Sequence, residues 1–308
     1  MTLNSNPFPE SDEKAYLRRY HLLKSLDPLR QQKGRDLAYF GLPSAEMLDV
    51  KLWQKVLGHI TAVEADKTIA SRIFRTATKL GIREKLCLLE TDLLSASKIL
   101  AEDENKLEII FSEFSKASQE KFRKIRGRFY DVFNLDLCGG FLYPKDNDRN
   151  DHSEVLKNLL KHQRKQKEDF LIVITFNLRD TGADEYDKFI DHCLSSLEQI
   201  GEDISSLKSY YLSKNTKNHP KQLRRIRFAL PAYIQKIAFD DFQVSQKGSW
   251  YYKTFYNTVL HFSPRLGGTL GMNWPPLDEF KSILNSPIFK VATESNDIKV
   301  QRLETPTL

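Results

Sequence analysis

DLAYFGLPSAEMLDVKLWQKVLGHITAVEA (36–65) is the stretch that decides the fold. DLAYFGLP (36–43) is a short apolar run that ends at Gly41-Leu42-Pro43, the pattern of a buried strand and its exit loop. AEMLDVKLWQKVLG (45–58) changes period. Leu48, Leu52 and Val56 share one helical face, and Ser44 is placed to N-cap it. HITAVEA (59–65) returns to strand, with Glu64 at its tip. A helix-linked pair of buried strands is a βαβ unit, which predicts parallel pairing and a right-handed crossover.

The alternation continues downstream. KTIASRIFRTATKLG (67–81) predicts a helix stopped by Gly81, and KLCLLETD (85–92) a third strand ending at Asp92. A helical stretch at 96–125, long enough for two helices, precedes a fourth strand, RFYDVFNLD (128–136). SEVLKNLLKHQRKQK predicts a helix, DFLIVITFNLR (169–179) a fully buried fifth strand, and 183–201 a further helix. AYIQKIAFDDFQVSQ (232–246) and WYYKTFYNTVLHFSP (250–264) are β-rich around Lys247-Gly248-Ser249 and predict an antiparallel hairpin. LDEFKSIL predicts a last short helix before a tail with no assigned structure. Upstream, Tyr16, Tyr20, Leu23 and Leu26 recur at helical spacing, so 1–33 reads as an N-terminal helical extension to a domain spanning 34–308. Within that domain 95–127 is a helical insertion and 232–264 the terminal hairpin. The fold class is therefore α/β, a doubly wound and mostly parallel sheet.

Composition narrows the function classes. The chain of 308 residues is 40% hydrophobic and 29% charged, which is globular, with a net charge of +6. No apolar run is long enough for a bilayer span, and MTLNSNPFPESDEK has no apolar leader core, so the expectation is a cytoplasmic protein without membrane attachment. Three widely spaced cysteines, Cys87, Cys138 and Cys193, suit a reducing compartment and form no zinc motif. There is no P-loop, no H-E-x-x-H and no G-x-S-x-G, so no metal site is expected and simple hydrolase chemistry is not indicated.

Ligands in doubly wound folds bind outside the carboxyl ends of the strands. The residues there are Phe40, Gly41 and Ser44, then Glu64, Asp92, and Asn134 with Asp136. Glu64 follows Gly41 at about the spacing where an acidic side chain accepts from ribose hydroxyls. Asp92 suits an adenine amine, and equally an N-cap. Alternation turns Asn134 and Asp136 to one side, and Gly139-Gly140 lets the backbone pass close to a ligand.

The element order, the acidic second tip, Asp92, the Asn134-Leu135-Asp136 tip and the terminal hairpin together resemble class I S-adenosylmethionine-dependent methyltransferases, over roughly 35–264. The resemblance implies seven strands, the last antiparallel and inserted by a hairpin. It implies S-adenosylmethionine as cofactor, held by Phe40, Gly41, Ser44, Glu64 and Asp92. Asn134 and Asp136 then border the methyl-transfer site as catalytic residues. NLDLCGG is similar to the fourth motif of transfer-RNA guanine methyltransferases and to the D/N-P-P-aromatic motif of amino-methyltransferases, without the two prolines of the latter. The first motif departs from the family, because YFGLPSAE keeps one glycine and carries Pro43.

Basic clusters occur in KFRKIRGR (121–128), KHQRKQK (161–167) and KQLRRIR (221–227). The last lies beside Trp250, Tyr251 and Tyr252, so Arg224, Arg225 and Arg227 are candidates for tracking a nucleic-acid backbone. A hairpin core explains those aromatic residues equally well. Two functions stay open. One is a methyltransferase acting on a nucleic acid base. The other is a catalytically inactive methyltransferase-fold subunit that binds a protein partner through the 96–125 helices. A different nucleotide-cofactor enzyme is a third reading.

Overall fold

The computed structural model describes residues 11–103, 106, 111, 114–137, 152–178, 183–199, 203–212, 221–238, 240–265, 277–295 and 297–303. The chain divides into two compact units, Met1–Asn134 with Val291–Val300, and Leu135–Lys290 with Gln301–Leu308. The fold is mixed α/β, and its sheet has nine strands rather than the seven expected.

The first unit opens with helix α1 (Asp12–Leu17), a π-helical turn (Arg18–Leu22) and helix α2 (Leu23–Lys33). Strand β1 (Leu37–Gly41) follows, then α3 (Leu48–Trp53), β2 (Leu57–Val63), α4 (Lys67–Lys79), β3 (Leu86–Leu89), α5 (Leu93–Ala101) and α6 (Lys116–Arg126). Strand β4 (Val132–Leu137) begins in this unit. The strand order here is β3-β2-β1-β4, with β2 parallel to β3 and β1 parallel to both β2 and β4. The chain steps outward from β1 to β3 and then returns to the far side of β1. That reversal, between β1 and β4, is the topological switch point at which such folds bind ligands.

Local chemistry explains these elements. Asp66 caps α4 by accepting from the Thr68 and Ile69 amides at 2.7 and 3.0 Å, and Ala70, Ile73 and Ala77 bury its inner face. Gly81, at φ +69°, supplies the left-handed residue just past its end. Phe40 packs with Tyr130 and Phe133 at centroid distances of 5.2 and 5.7 Å, and Tyr39 meets Trp53 at 6.3 Å. Asp131, fully buried, fixes where β4 starts. Its carboxylate accepts from the Ala38 amide at 2.7 Å and from the Arg35 guanidinium at 2.6 and 3.0 Å.

The helix expected at 45–58 is shorter than its periodicity suggested. It runs from Leu48 to Trp53, and Ser44 does not cap it. Instead the Ser44 carbonyl accepts from the Met47 amide at 2.8 Å, and Met47 takes the left-handed conformation before the first turn. Leu57 and Gly58 belong to β2.

The second unit holds helices α7 (His152–Gln163), α8 (Ala183–Gln199), α9 (Ser205–Leu212), α10 (Lys221–Ala238) and α11 (Leu277–Asn285). Strand β5 (Phe170–Asn177) pairs antiparallel with β7 (Phe255–Pro264), and β7 pairs antiparallel with β6 (Phe242–Tyr252). The last-formed arm of the hairpin is thus inserted between β5 and β6. Strand β8 (Ile288–Glu294) joins β6 in parallel over Ile288–Lys290, and β9 (Asp297–Leu303) completes the order.

Three expectations change here. Residues 232–238 are helical, so the hairpin begins at Phe242. Its turn lies at Lys253-Thr254, not at Lys247-Gly248-Ser249, which sits within β6. Gly248 belongs there because a Cβ would stand 2.4 Å from the Trp250 ring. The tail, expected to have no structure, supplies the two extra strands. Residues 138–151, with Cys138, Gly139 and Gly140, and residues 266–276 fall outside the described residues.

Candidate functional site

The switch point is built from the tip of β1 and the middle of β4. Gly41 pairs with Asn134, and the Leu42 amide donates to the Asn134 carbonyl at 3.2 Å. Gly41 has no room for a side chain. A Cβ there would lie 2.5 Å from the Asn134 carbonyl oxygen and 2.6 Å from the Tyr39 hydroxyl. Residues 39 and 41 share a face of the strand, so the Tyr39 side chain arches over the glycine. It reaches the Asn134 side chain, whose Nδ2 stands 3.3 Å from the hydroxyl.

Asn134 is buried, and its amide nitrogen also donates to Asp49 Oδ2 at 2.8 Å. Arg18 forms an ion pair with the other oxygen of Asp49, and its own carbonyl accepts from the Trp53 indole at 3.4 Å. A continuous chain, Arg18–Asp49–Asn134–Tyr39, therefore lies beneath the switch point. Its first member stands in the π-helical turn, a geometry found frequently at functional sites.

The loop after β1 is tied down from α4. Thr76 Oγ1 donates to the Ala45 carbonyl at 2.8 Å, and Arg72 pairs with Glu46 at 2.5 Å. The Leu42 and Met47 amides are consumed internally and Pro43 has none, so few backbone donors remain for an anionic group.

Glu64 leaves β2 half-buried, its Oε1 accepting from the Asp66 amide at 2.8 Å. Burial pushes its pKa up, and the nearby Asp66 carboxylate adds to this. The amides of Asp66 and Ala65 oppose the shift without cancelling it. A carboxylate has about four lone-pair sites, so acceptor capacity for a diol remains. Asp92 at the tip of β3 is engaged as the N-cap of α5. It accepts from the Ser95 amide at 2.8 Å and the Ser95 hydroxyl at 2.7 Å. Phe40 is fully buried in its aromatic cluster, so its ring is a core element rather than a cofactor contact. Asp136 is half-buried two residues beyond Asn134. Asp49, Arg18 and Tyr39 were not singled out by sequence. The usable signal was Tyr39, two residues before Gly41 where that face needs a polar group.

In the second unit Arg224, Arg225 and Arg227 are buried, at 3%, 7% and 1% exposure. They are not presented as a surface for nucleic acid, because helix α10 is buried nearly all round. Arg225 forks onto Asp187 at 2.7 and 2.5 Å, joined there by the Tyr211 hydroxyl and by Lys221 at 3.1 Å. Arg227 bonds the Leu284 carbonyl, the Ser286 carbonyl at 2.7 Å and the Tyr210 hydroxyl at 3.2 Å, closing the end of α11. Trp250 and Tyr252 are buried in the hairpin and Tyr251 half-buried. Among the described residues no cluster of His, Cys, Asp and Glu is arranged to hold a metal. No helix there is long and apolar enough to cross a membrane.

Together these features define an α/β protein whose first unit is doubly wound, with an acidic second-strand tip beside a switch point. A family model described as PP_RS20740-like matches residues 14–213, and the chain belongs to the PP_RS20740-like family. No curated protein matches the sequence. Among solved structures the chain is similar to Trm1 of Pyrococcus horikoshii in complex with S-adenosyl-L-methionine, at 10% identity and a TM-score of 0.46, covering 97% of this chain and 66% of that one. It is also similar to magnesium protoporphyrin IX methyltransferase of Synechocystis PCC 6803 with bound SAM, at 10% identity and a TM-score of 0.40 over 84% and 86% of the two chains. An rRNA methylase of Streptococcus thermophilus gives 7% identity and a TM-score of 0.39 over 75% and 90%.

Proposed function

We propose that the protein is an S-adenosylmethionine-dependent methyltransferase of the class I kind, acting on a nucleic acid. The observation that carries the reading is the β1/β4 switch point flanked by the half-buried Glu64 at the tip of β2. A doubly wound sheet binds its ligand there, and a carboxylate at that tip accepts from both hydroxyls of a ribose. The antiparallel β7 inserted between β5 and β6 agrees with the family's terminal hairpin.

The residues fit the ribose end of the cofactor, through Glu64. When bound, S-adenosylmethionine supplies a methyl group already activated on its sulfonium. What the chain contributes is positioning. Asn134 is fixed through both amide protons, which leaves its carbonyl oxygen as the acceptor to be offered to a substrate N–H. Asp136 is the second acceptor in the same strand.

A second reading is favoured by a specific observation. The clearance that Gly41 creates is filled by the Tyr39 hydroxyl, and three of the six positions from 42 to 47 in the loop after it offer no free amide, at Leu42, Pro43 and Met47. A methyltransferase-fold subunit that no longer turns over, and serves as a binding partner, would tolerate both features. Calorimetric titration with S-adenosylhomocysteine separates the two. The methyltransferase reading expects binding that is lost in Glu64→Ala. Absence of heat with ligand on the order of 1 mM favours the inactive subunit.

A further inference from the structure

A cleft of about 730 Å³ opens along the outer side of β3 in the first unit, away from the switch point. Its volume falls in the range of ligand pockets, about 300–1,000 Å³. The floor is the edge strand itself, Leu86, Cys87 and Leu88. One wall is α4, with Phe74 and Arg75, and the other is α6, with Lys121 and Lys124. We propose that this cleft binds single-stranded nucleic acid, a base lying against Phe74 and the phosphates between Arg75, Lys121 and Lys124.

Phe74 is one of few large apolar side chains left exposed among the described residues, at 42%, and it is exposed here. The Arg83 guanidinium lies over its ring at 4.7 Å, forming a layered aromatic and cationic platform of the kind on which bases stack. Lys121 is held at the strand edge by donating to the Leu88 carbonyl at 3.1 Å, and two of its donors remain. Lys124 faces Glu120 at 3.2 Å in an exposed pair, which solvent makes weak and easily exchanged for phosphate. Glu84 and Glu90 also line the cleft, the latter 4.0 Å from Lys121. Burial pushes the pKa of the Cys87 thiol at the floor up, and the positive charges of Lys121, Arg128 and Lys124 oppose that shift. This gives the basic cluster KFRKIRGR (121–128) the role that the sequence reading offered to Arg224, Arg225 and Arg227, which are buried.

The inference rests on the nucleic-acid half of the proposed function and not on methyl transfer, so binding is measured without cofactor. The experiment is fluorescence anisotropy with a labelled oligouridylate and the matching deoxy-oligonucleotide, across a range of salt concentration. The expected result is binding that weakens with salt. Arg75→Gln with Lys124→Gln lowers the logarithmic salt slope by about 0.7 for each contact removed. Phe74→Ala weakens binding by about five- to hundredfold. All three sites are at the surface, and unchanged thermal unfolding confirms that the variants fold. Lys208→Gln, in the other unit, leaves binding unchanged. Three results overturn the proposal: no binding of either oligonucleotide, binding indifferent to these substitutions, or equal competition by polyglutamate with Phe74→Ala silent. The last would make the cleft a site for acidic peptide. Loss of oligonucleotide binding leaves the S-adenosylhomocysteine titration untouched, so the two failures are distinguishable.

Discussion

Asn134 Nδ2 donates to Asp49 Oδ2 at 2.8 Å, joining the middle of β4 to the first turn of α3. Asp49 also pairs with Arg18, and the side chains of Arg18 and Asp49 are only 6% and 12% exposed. Removing the carboxylate takes the Asp49 contact away from the Arg18 guanidinium and from an Asn134 amide proton together. Asp49→Ala is therefore expected to cost about 3 kcal/mol in urea denaturation, and Asp49→Asn less, since it keeps one acceptor. A loss below about 0.5 kcal/mol, the scale of ordinary surface substitutions, would mean that the network does not hold the switch point together.

Gly41→Ala meets two obstacles of different kinds. The Asn134 carbonyl is backbone and cannot yield, whereas the Tyr39 hydroxyl is the end of a side chain. Overpacking of this sort costs about 1–3 kcal/mol. Adding Tyr39→Phe removes the hydroxyl obstacle, so the cost of Gly41→Ala should fall but not vanish in that background. A double-mutant cycle measures the difference as a coupling energy. Strict additivity would show that Tyr39 is not what fills the space.

The parallel half of the sheet was legible because its apolar runs end in glycine, proline or acid, and that punctuation is local. The extra strands were legible in principle. Ile298 and Val300 alternate with polar residues in DIKVQRL, but the segment is short and mostly exposed. Helix α10 was not legible. Its arginines look like a surface cluster, Pro231 looks like a breaker, and the partner of Arg225 is Asp187, on another helix. The same holds for the candidate site. Glu64 and Gly41 could be read from strand ends, whereas Asp49 and Arg18 matter only through contacts that the fold creates.

Arg225 and Asp187 make the second unit sensitive to acid. Burial alone would raise the Asp187 pKa, but hydrogen bonds from Arg225, Tyr211 and Lys221 outweigh it and hold the carboxyl well below the usual range. A group depressed in the folded state stabilises above its unfolded value, and that stability is lost as pH falls through the folded one. Asp187→Asn should cost about 2 kcal/mol at neutral pH. The gap to wild type should close only below the ordinary Asp value of 3.8. Denaturant midpoints measured across acid pH test this, and a constant gap would count against the pairing.

Arg227 closes α11 from inside the unit, so replacing it should read out as stability rather than as affinity. Arg227→Met leaves the Leu284 and Ser286 carbonyls without their donor, at a cost of about 2–4 kcal/mol in chemical denaturation. If the variant is as stable as wild type and instead loses salt-dependent oligonucleotide binding, the buried reading of this arginine is wrong.

Glu64 carries the opposite sign from Asp187. Its folded pKa is raised, chiefly by burial, so the stabilising contribution is complete below the unfolded value and disappears as pH rises through the folded one. Glu64→Gln should accordingly flatten the pH dependence of stability between the usual carboxylate range and neutrality, and should not destabilise at pH 7. Ligand binding runs the other way. A ribose diol donates to the carboxylate, so it needs the ionised form, and binding must pull that pKa back down. S-adenosylhomocysteine affinity in wild type should therefore weaken as pH falls, beginning above the pH at which an ordinary glutamate titrates. Glu64→Gln should bind weakly and without that dependence. Affinity that is flat with pH in wild type, or unaffected by Glu64→Gln, would place the ribose elsewhere on the strand tips.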